Sequence, residues 1–164
     1  SIKNGAECPF LRPKNLSTEK INLEQVQEFS LKKLEKKNIF PDLIVHLEET
    51  FPFRDKHLID EIIKTLLKKG YDTVIAAKEE SGWLWKEKEN NNFYRLDEGD
   101  IPRKYKKKSY IGLHGVCCVT YPEYVRIGSL LGQNVGLFPI KNNITSLEIR
   151  DVEAHKKFYK FLKN

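Results

Sequence analysis

The sequence predicts an α/β fold, and three observations carry that reading. Short, β-branched apolar runs lie at residues 42–47 and 73–77, an amphipathic stripe of helical period sits between them, and further apolar runs follow after residue 110. Strand, helix and strand within about 35 residues make a βαβ unit whose helix packs across a sheet. With 164 residues, 40% hydrophobic and 32% charged, residues 1–164 suit one globular domain able to bury a core.

In chain order, residues 1–21 lack a clear period and carry Pro9 and Pro13, which predicts an irregular entry segment. Asn22 with Gln25 three residues on is a capping-box start, and Leu23, Val26, Ser30, Leu31 and Leu34 give a helical stripe to about Lys37. The almost continuous apolar run at 42–47 predicts a buried, parallel strand. Asp55 is placed to cap a second helix, in which Leu58, Ile59, Ile62, Ile63, Leu66 and Leu67 form the apolar face and Gly70 gives the stop.

Residues 73–77 predict a second buried strand. Alternation over 83–96, broken by Asn90-Asn91-Asn92, predicts an antiparallel hairpin that leaves the main sheet and carries Trp83, Trp85, Phe93 and Tyr94. Residues 111–120 predict a central strand, 122–127 a short helix, 135–140 a strand and 147–149 a shorter one. A terminal helix is expected after Asp151, reaching Leu162.

Charge and cysteine usage narrow the function classes. The net charge of +6 is scattered, with lysines at helix ends and faces, so a nucleic-acid partner is not expected. The densest cluster, Arg103-Lys104-Tyr105-Lys106-Lys107-Lys108, suits an anionic small molecule equally well. Cys8, Cys117 and Cys118 give no disulfide framework and no zinc-ligand spacing, and the adjacent pair reads as small buried hydrophobes. No run approaches a membrane span and no leader pattern opens the chain, from which a cytoplasmic protein without membrane contact is expected. The chain contains no methionine, so a segment upstream of Ser1 is expected.

Five segments, in order, resemble the acylneuraminate cytidylyltransferases, the family that activates sialic and other nonulosonic acids as CMP-sugars. They are Gly5-Ala6-Glu7-Cys8-Pro9-Phe10-Leu11-Arg12-Pro13; Leu47-Glu48-Glu49-Thr50-Phe51-Pro52-Phe53-Arg54; Pro102-Arg103 ahead of His114-Gly115-Val116; Gly128-Ser129-Leu130-Leu131-Gly132; and Ser146-Leu147-Glu148-Ile149-Arg150. Together they span almost the whole chain. The resemblance implies a Rossmann-like, GT-A-like nucleotidyltransferase fold with a mixed sheet and a protruding segment at 83–108 that helps form a homodimer. It also implies transfer of CMP from CTP to a sugar acid, with release of pyrophosphate. The family's first strand and its Gly-rich basic loop, which cradles the triphosphate, have no counterpart before Gly5, so this chain alone is expected not to turn CTP over.

The resemblance also implies site roles. Glu48 and Thr50 take the sugar-acid side, although Glu where the family has Gln adds charge beside an anionic substrate. Arg54 either binds substrate there, pairs with Asp55 or caps carbonyls. Arg103 suits a bidentate grip on a carboxylate, and Arg12 would orient the loop beneath the nucleotide or form a structural ion pair. Mg²⁺ is expected, because the family holds it on an Asp-x-Asp whose slots are Glu148 and Arg150 here, with Asp151 displaced by one. Two readings follow. Either Glu148 still holds metal with Asp151 while Arg150 neutralises phosphate, or Glu148 and Arg150 share a strand face as a buried scaffold pair. His46 and His114 read as satisfied core histidines, and no serine nucleophile or triad has a supporting motif. Two rivals stand beside the enzyme: a non-catalytic sugar-binding or dimerisation module, and a GT-A-like glycosyltransferase, which the late position of the carboxylate motif disfavours.

Overall fold

The computed structural model describes residues 2–97 and 99–151, together with 153, 156 and 159. Helix α1, Leu23–Glu35, opens as expected. The Asn22 side chain accepts from Gln25 N at 3.0 Å while Gln25 Oε1 accepts from Asn22 N at 3.2 Å, a reciprocal cap of the kind that contributes about 1 kcal/mol. The entry segment lies against this helix: Phe10 packs edge-on to Phe29, and Lys37 Nζ donates to Pro9 O at 2.6 Å.

Strand β1 is Ile44–His46, helix α2 is Leu58–Lys69 and strand β2 is Thr73–Glu80. Gly70 ends α2 at φ +65°, a conformation that a side chain with a Cβ resists. The helix starts two residues later than expected, because His57 rather than Asp55 is its cap and no side chain bonds there; Asp55 instead accepts from Asn142 Nδ2 at 3.4 Å. The hairpin follows as β3, Trp85–Glu87, and β4, Phe93–Arg95, forming a two-stranded sheet of its own. Its turn needs Asn90 and Asn91 at φ 65° and 58°, which asparagine tolerates better than most residues. Two of the run's three asparagines are thus explained, while Asn92 is already extended.

After the hairpin come β5, Ser109–Gly112; β6, Cys118–Thr120; helix α3, Pro122–Arg126; and β7, Val135–Pro139. Strand β2 organises a mixed sheet. Along one edge it pairs antiparallel with β6, Thr73 facing Thr120, and then with β5, Ala77 facing Gly112; along the other it runs parallel to β7, Thr73 facing Val135. Strand β1 lies outside β6, antiparallel to it, with His46 facing Cys118.

Two sequence expectations are corrected here. Strand β1 is a half-exposed outer strand antiparallel to its neighbour, because β6 inserts between β1 and β2; it still runs in the direction of β2, so the βαβ unit is a split one. The expected single strand at 111–120 is two strands. Residues 113–117 all stand opposite Ala76, which donates from N to Cys117 O at 2.9 Å and accepts at O from Leu113 N at 2.7 Å. This bulge lifts His114 and Gly115 out of the ladder.

Phe51, Leu58, Ile62, Leu66, Val74, Ala76, Val116, Cys117 and Val119 form the core between α2 and the sheet, each large member contributing about 1.5–3 kcal/mol by leaving water. Thr73 and Thr120 are buried with their hydroxyls 2.8 Å apart, so the pair satisfies itself. Burial pushes the Cys117 thiol up to about 11 and the Cys118 thiol to about 12, which keeps both protonated and inert. The expected strand at 147–149 has no ladder. Of the terminal helix, residues 153, 156 and 159 are helical and the rest lies outside the described residues. Among the described residues no helix is long and apolar enough to cross a membrane.

Candidate functional site

The bulge of 113–117 and the end of β1 meet. Side chains alternate along a strand, so His46 and Glu48 project to one side, and Glu48 N donates to Gly115 O at 2.8 Å, tying the strand end to the bulge. The His46 and His114 rings then lie 4.4 Å apart between centroids, tilted by 33°. His46 Nε2 is 3.5 Å from Glu48 Oε1, while Thr50 Oγ1 donates to Glu48 Oε2 at 3.4 Å. Gln27 of α1 stands 2.8 Å from His46 Nδ1. Burial lowers the His114 pKa, and the neighbouring His46 lowers it further, so its neutral form is favoured.

Gly115 makes this approach possible. A Cβ there would sit 2.7 Å from both Glu48 Cδ and Phe51 Cε2, closer than atoms pack. Arg54 clamps the same corner by donating from Nε to Val116 O at 2.6 Å and from Nη2 to Gly115 O at 2.8 Å and to Glu48 O. Of the roles open to Arg54, carbonyl capping is the one its geometry displays.

Ile149 N donates to Thr50 O at 2.8 Å, which joins segment 147–150 to the segment carrying Glu48 and Thr50. Glu148 and Arg150 pair at 2.5 Å, and their side chains are 33% and 72% exposed. The expected buried scaffold pair is therefore corrected to a surface pair on an irregular segment. Asp151 is exposed next to it. Arg12 is exposed and donates to Ser17 Oγ at 3.2 Å, a local contact within the entry segment. The backbone of Arg103 begins a short 3₁₀ turn, and its side chain lies outside what the structure describes.

The chain is similar in structure to 4-diphosphocytidyl-2C-methyl-D-erythritol synthase from Anaerococcus prevotii. The likeness has a TM-score of 0.60 at 14% identity and covers 87% of this chain and 67% of that one. The fold is thus an α/β nucleotidyltransferase-like fold. No family model matches the sequence, and no curated protein matches it.

Within this fold, the arrangement offers a carboxylate, a threonine hydroxyl and two imidazoles at the end of β1, with a second carboxylate and a guanidinium nearby. Such groups can hydrogen-bond a polyhydroxylated ligand or hold a cation. The sequence reading missed the histidines. Neither is fully satisfied: His46 meets Gln27 through Nδ1, but Nε2 of His46 and Nε2 of His114 are both buried without a hydrogen-bond partner, whereas most buried polar side-chain atoms have one. A polar His-Gly pair interrupting the apolar run at 111–120, with His-x-Glu ending β1, was the available signal.

Proposed function

We propose that the chain is a nucleotidyltransferase domain that transfers CMP from CTP to a sialic-acid-like or other nonulosonic acid. One observation supports this above the rest. The Ile149 to Thr50 bond sets side by side two segments that are about a hundred residues apart in sequence and that resemble the family's substrate and metal motifs. They meet at the carboxyl end of a strand, where open α/β sheets bind ligands, in a fold shared with a synthase whose name carries a diphosphocytidyl group.

In this reading a sugar hydroxyl oxygen bonds to the α-phosphorus of CTP, the bond from that phosphorus to the β-phosphate oxygen breaks, pyrophosphate leaves, and the hydroxyl proton passes to solvent. Glu48 and Thr50 hydrogen-bond the sugar's hydroxyls, and Arg103 grips its carboxylate. Carboxylate oxygens are donors of the kind Mg²⁺ takes, so Glu148 and Asp151 fit the role of holding it once Arg150 swings from Glu148 towards phosphate. Bound there, Mg²⁺ would neutralise charge on the triphosphate. Dimerisation through 83–108 belongs to the same reading, supported by Trp83, Trp85 and Phe93 standing exposed on the hairpin.

A second reading, a non-catalytic sugar-binding or dimerisation module, is favoured by one feature: Arg54 and Glu148 are engaged with partners inside the chain. Incubating the chain, and the chain fused behind a Gly-rich basic loop, with CTP, Mg²⁺ and a panel of nonulosonic acids separates the two. The enzyme reading expects CMP-sugar and pyrophosphate from the loop-bearing protein and none from the chain alone. Sugar-acid binding with no product from either would establish the module instead.

A further inference from the structure

We propose that His46, Glu48 and His114 form a binding site for a divalent transition-metal ion of the Zn²⁺ class, separate from the carboxylates at 148 and 151. Among the described residues these three side chains are the group of three or more His, Cys, Asp or Glu residues whose ligand atoms converge, all lying within 4.8 Å of one another. Two imidazoles and one carboxylate leave a coordination position open, which is the ligand set of reactive rather than purely structural metal sites.

The geometry of the pair on β1 already suits a shared ion. Two donors about 2 Å from a tetrahedral centre stand roughly 3.3 Å apart, and His46 Nε2 is 3.5 Å from Glu48 Oε1. That distance is long for a hydrogen bond and ordinary for two ligands of one metal. Glu48 is oriented for the role, because Thr50 Oγ1 engages Oε2 and leaves Oε1 directed at His46. The two orphaned Nε2 atoms supply the independent sign, since a buried imidazole nitrogen without a partner costs free energy that coordination would recover.

An outer partner is also in place. A metal on Nε2 requires the proton on Nδ1, and Gln27 stands 2.8 Å from that atom. A half-turn of its amide presents the carbonyl oxygen as acceptor, fixing the tautomer as second-sphere groups do. A dication also reverses the sign of the charge that Glu48 alone places there, so water or an anionic oxygen would complete the coordination.

The test uses the whole chain, stripped with a chelator and titrated with Co²⁺ and Zn²⁺, with Cys8→Ser included because Cys8 is an exposed thiol. One equivalent of Co²⁺ should give the visible ligand-field bands of a four- or five-coordinate site, and Zn²⁺ should displace it. His114→Asn and Glu48→Gln, both close in shape, should abolish the bands, and Gln27→Ala should weaken binding by about tenfold. Zn²⁺ should raise the melting temperature of the unmodified chain, reversibly with chelator, so the site can be read without relying on any variant. No stoichiometric binding, binding that survives both His114→Asn and Glu48→Gln, or binding lost only in Cys8→Ser would overturn it. None of these readouts requires turnover, so they stand apart from the cytidylyl-transfer assay.

Discussion

Replacing Arg54 by Met tests whether the corner between β1 and the bulge is held as described. The substitution keeps the apolar stem and removes the donors to Val116 O, Gly115 O and Glu48 O. Hydrogen bonds from a charged donor contribute about 1.5–3 kcal/mol each in favourable cases. The three do not sum, however. Gly115 O still accepts from Glu48 N at 2.8 Å and Glu48 O from Phe51 N at 3.3 Å, and losing the guanidinium removes the desolvation that lowers its pKa. The net loss is therefore about 2–4 kcal/mol, which in a domain of this size lowers Tm by about 5–15 °C. Differential scanning calorimetry or urea denaturation measures it. A Tm within about 1 °C of the parent would refute the clamp and return Arg54 to a ligand-binding role.

Three further outcomes are expected. Glu148→Gln breaks an exposed pair, so the loss should stay below about 1 kcal/mol, while Mg²⁺-dependent product formation by the loop-bearing protein should disappear; a large fall in Tm with turnover retained would reverse both roles. Trp85→Ser with Phe93→Ser should convert a dimer into a monomer in sedimentation velocity, since these rings are 52% and 62% exposed on the hairpin, and an unchanged coefficient would count against that interface. Asp97 is held down to about 2, chiefly by Lys106 and then by Gly99 N, Arg95 and Leu84 N, so its contribution to hairpin order is complete above the unfolded value of about 3.9. That contribution should be lost as pH falls from about 4 through 2, read as a change in tryptophan fluorescence because Arg95 lies over the Trp83 ring at 4.6 Å; Asp97→Asn should flatten the acid transition, and an identical titration would contradict the assignment.

Much of the architecture was legible because local signals and burial agree. The capping box of α1, the apolar face of α2, the turn asparagines and the proline opening α3 each state their element within a few residues. What was not legible depends on partners far along the chain. An apolar run such as 42–47 looks alike in an edge strand and a central one, and only the insertion of β6 decides it. The bulge at 113–117 has no sequence period of its own; it exists because Ala76 holds both of its ends. The candidate site follows the same rule. Glu48 and Thr50 carried a motif, whereas His46 and His114 come together only through that bulge. Residues 147–149 read as a strand from their apolar composition, yet the backbone bond from Ile149 to Thr50 is what associates them with the site.

The central claim is that the end of β1 receives a sugar acid, and backbone amide NMR during titration with a nonulosonic acid tests it most directly. Shifts should concentrate at Glu48, Thr50, Gly115 and Ile149 and saturate together, because these residues are joined by the backbone bonds Glu48 to Gly115 and Ile149 to Thr50. Saturable shifts confined to the Lys104–Lys108 cluster or the hairpin, with these four amides unmoved, would contradict it.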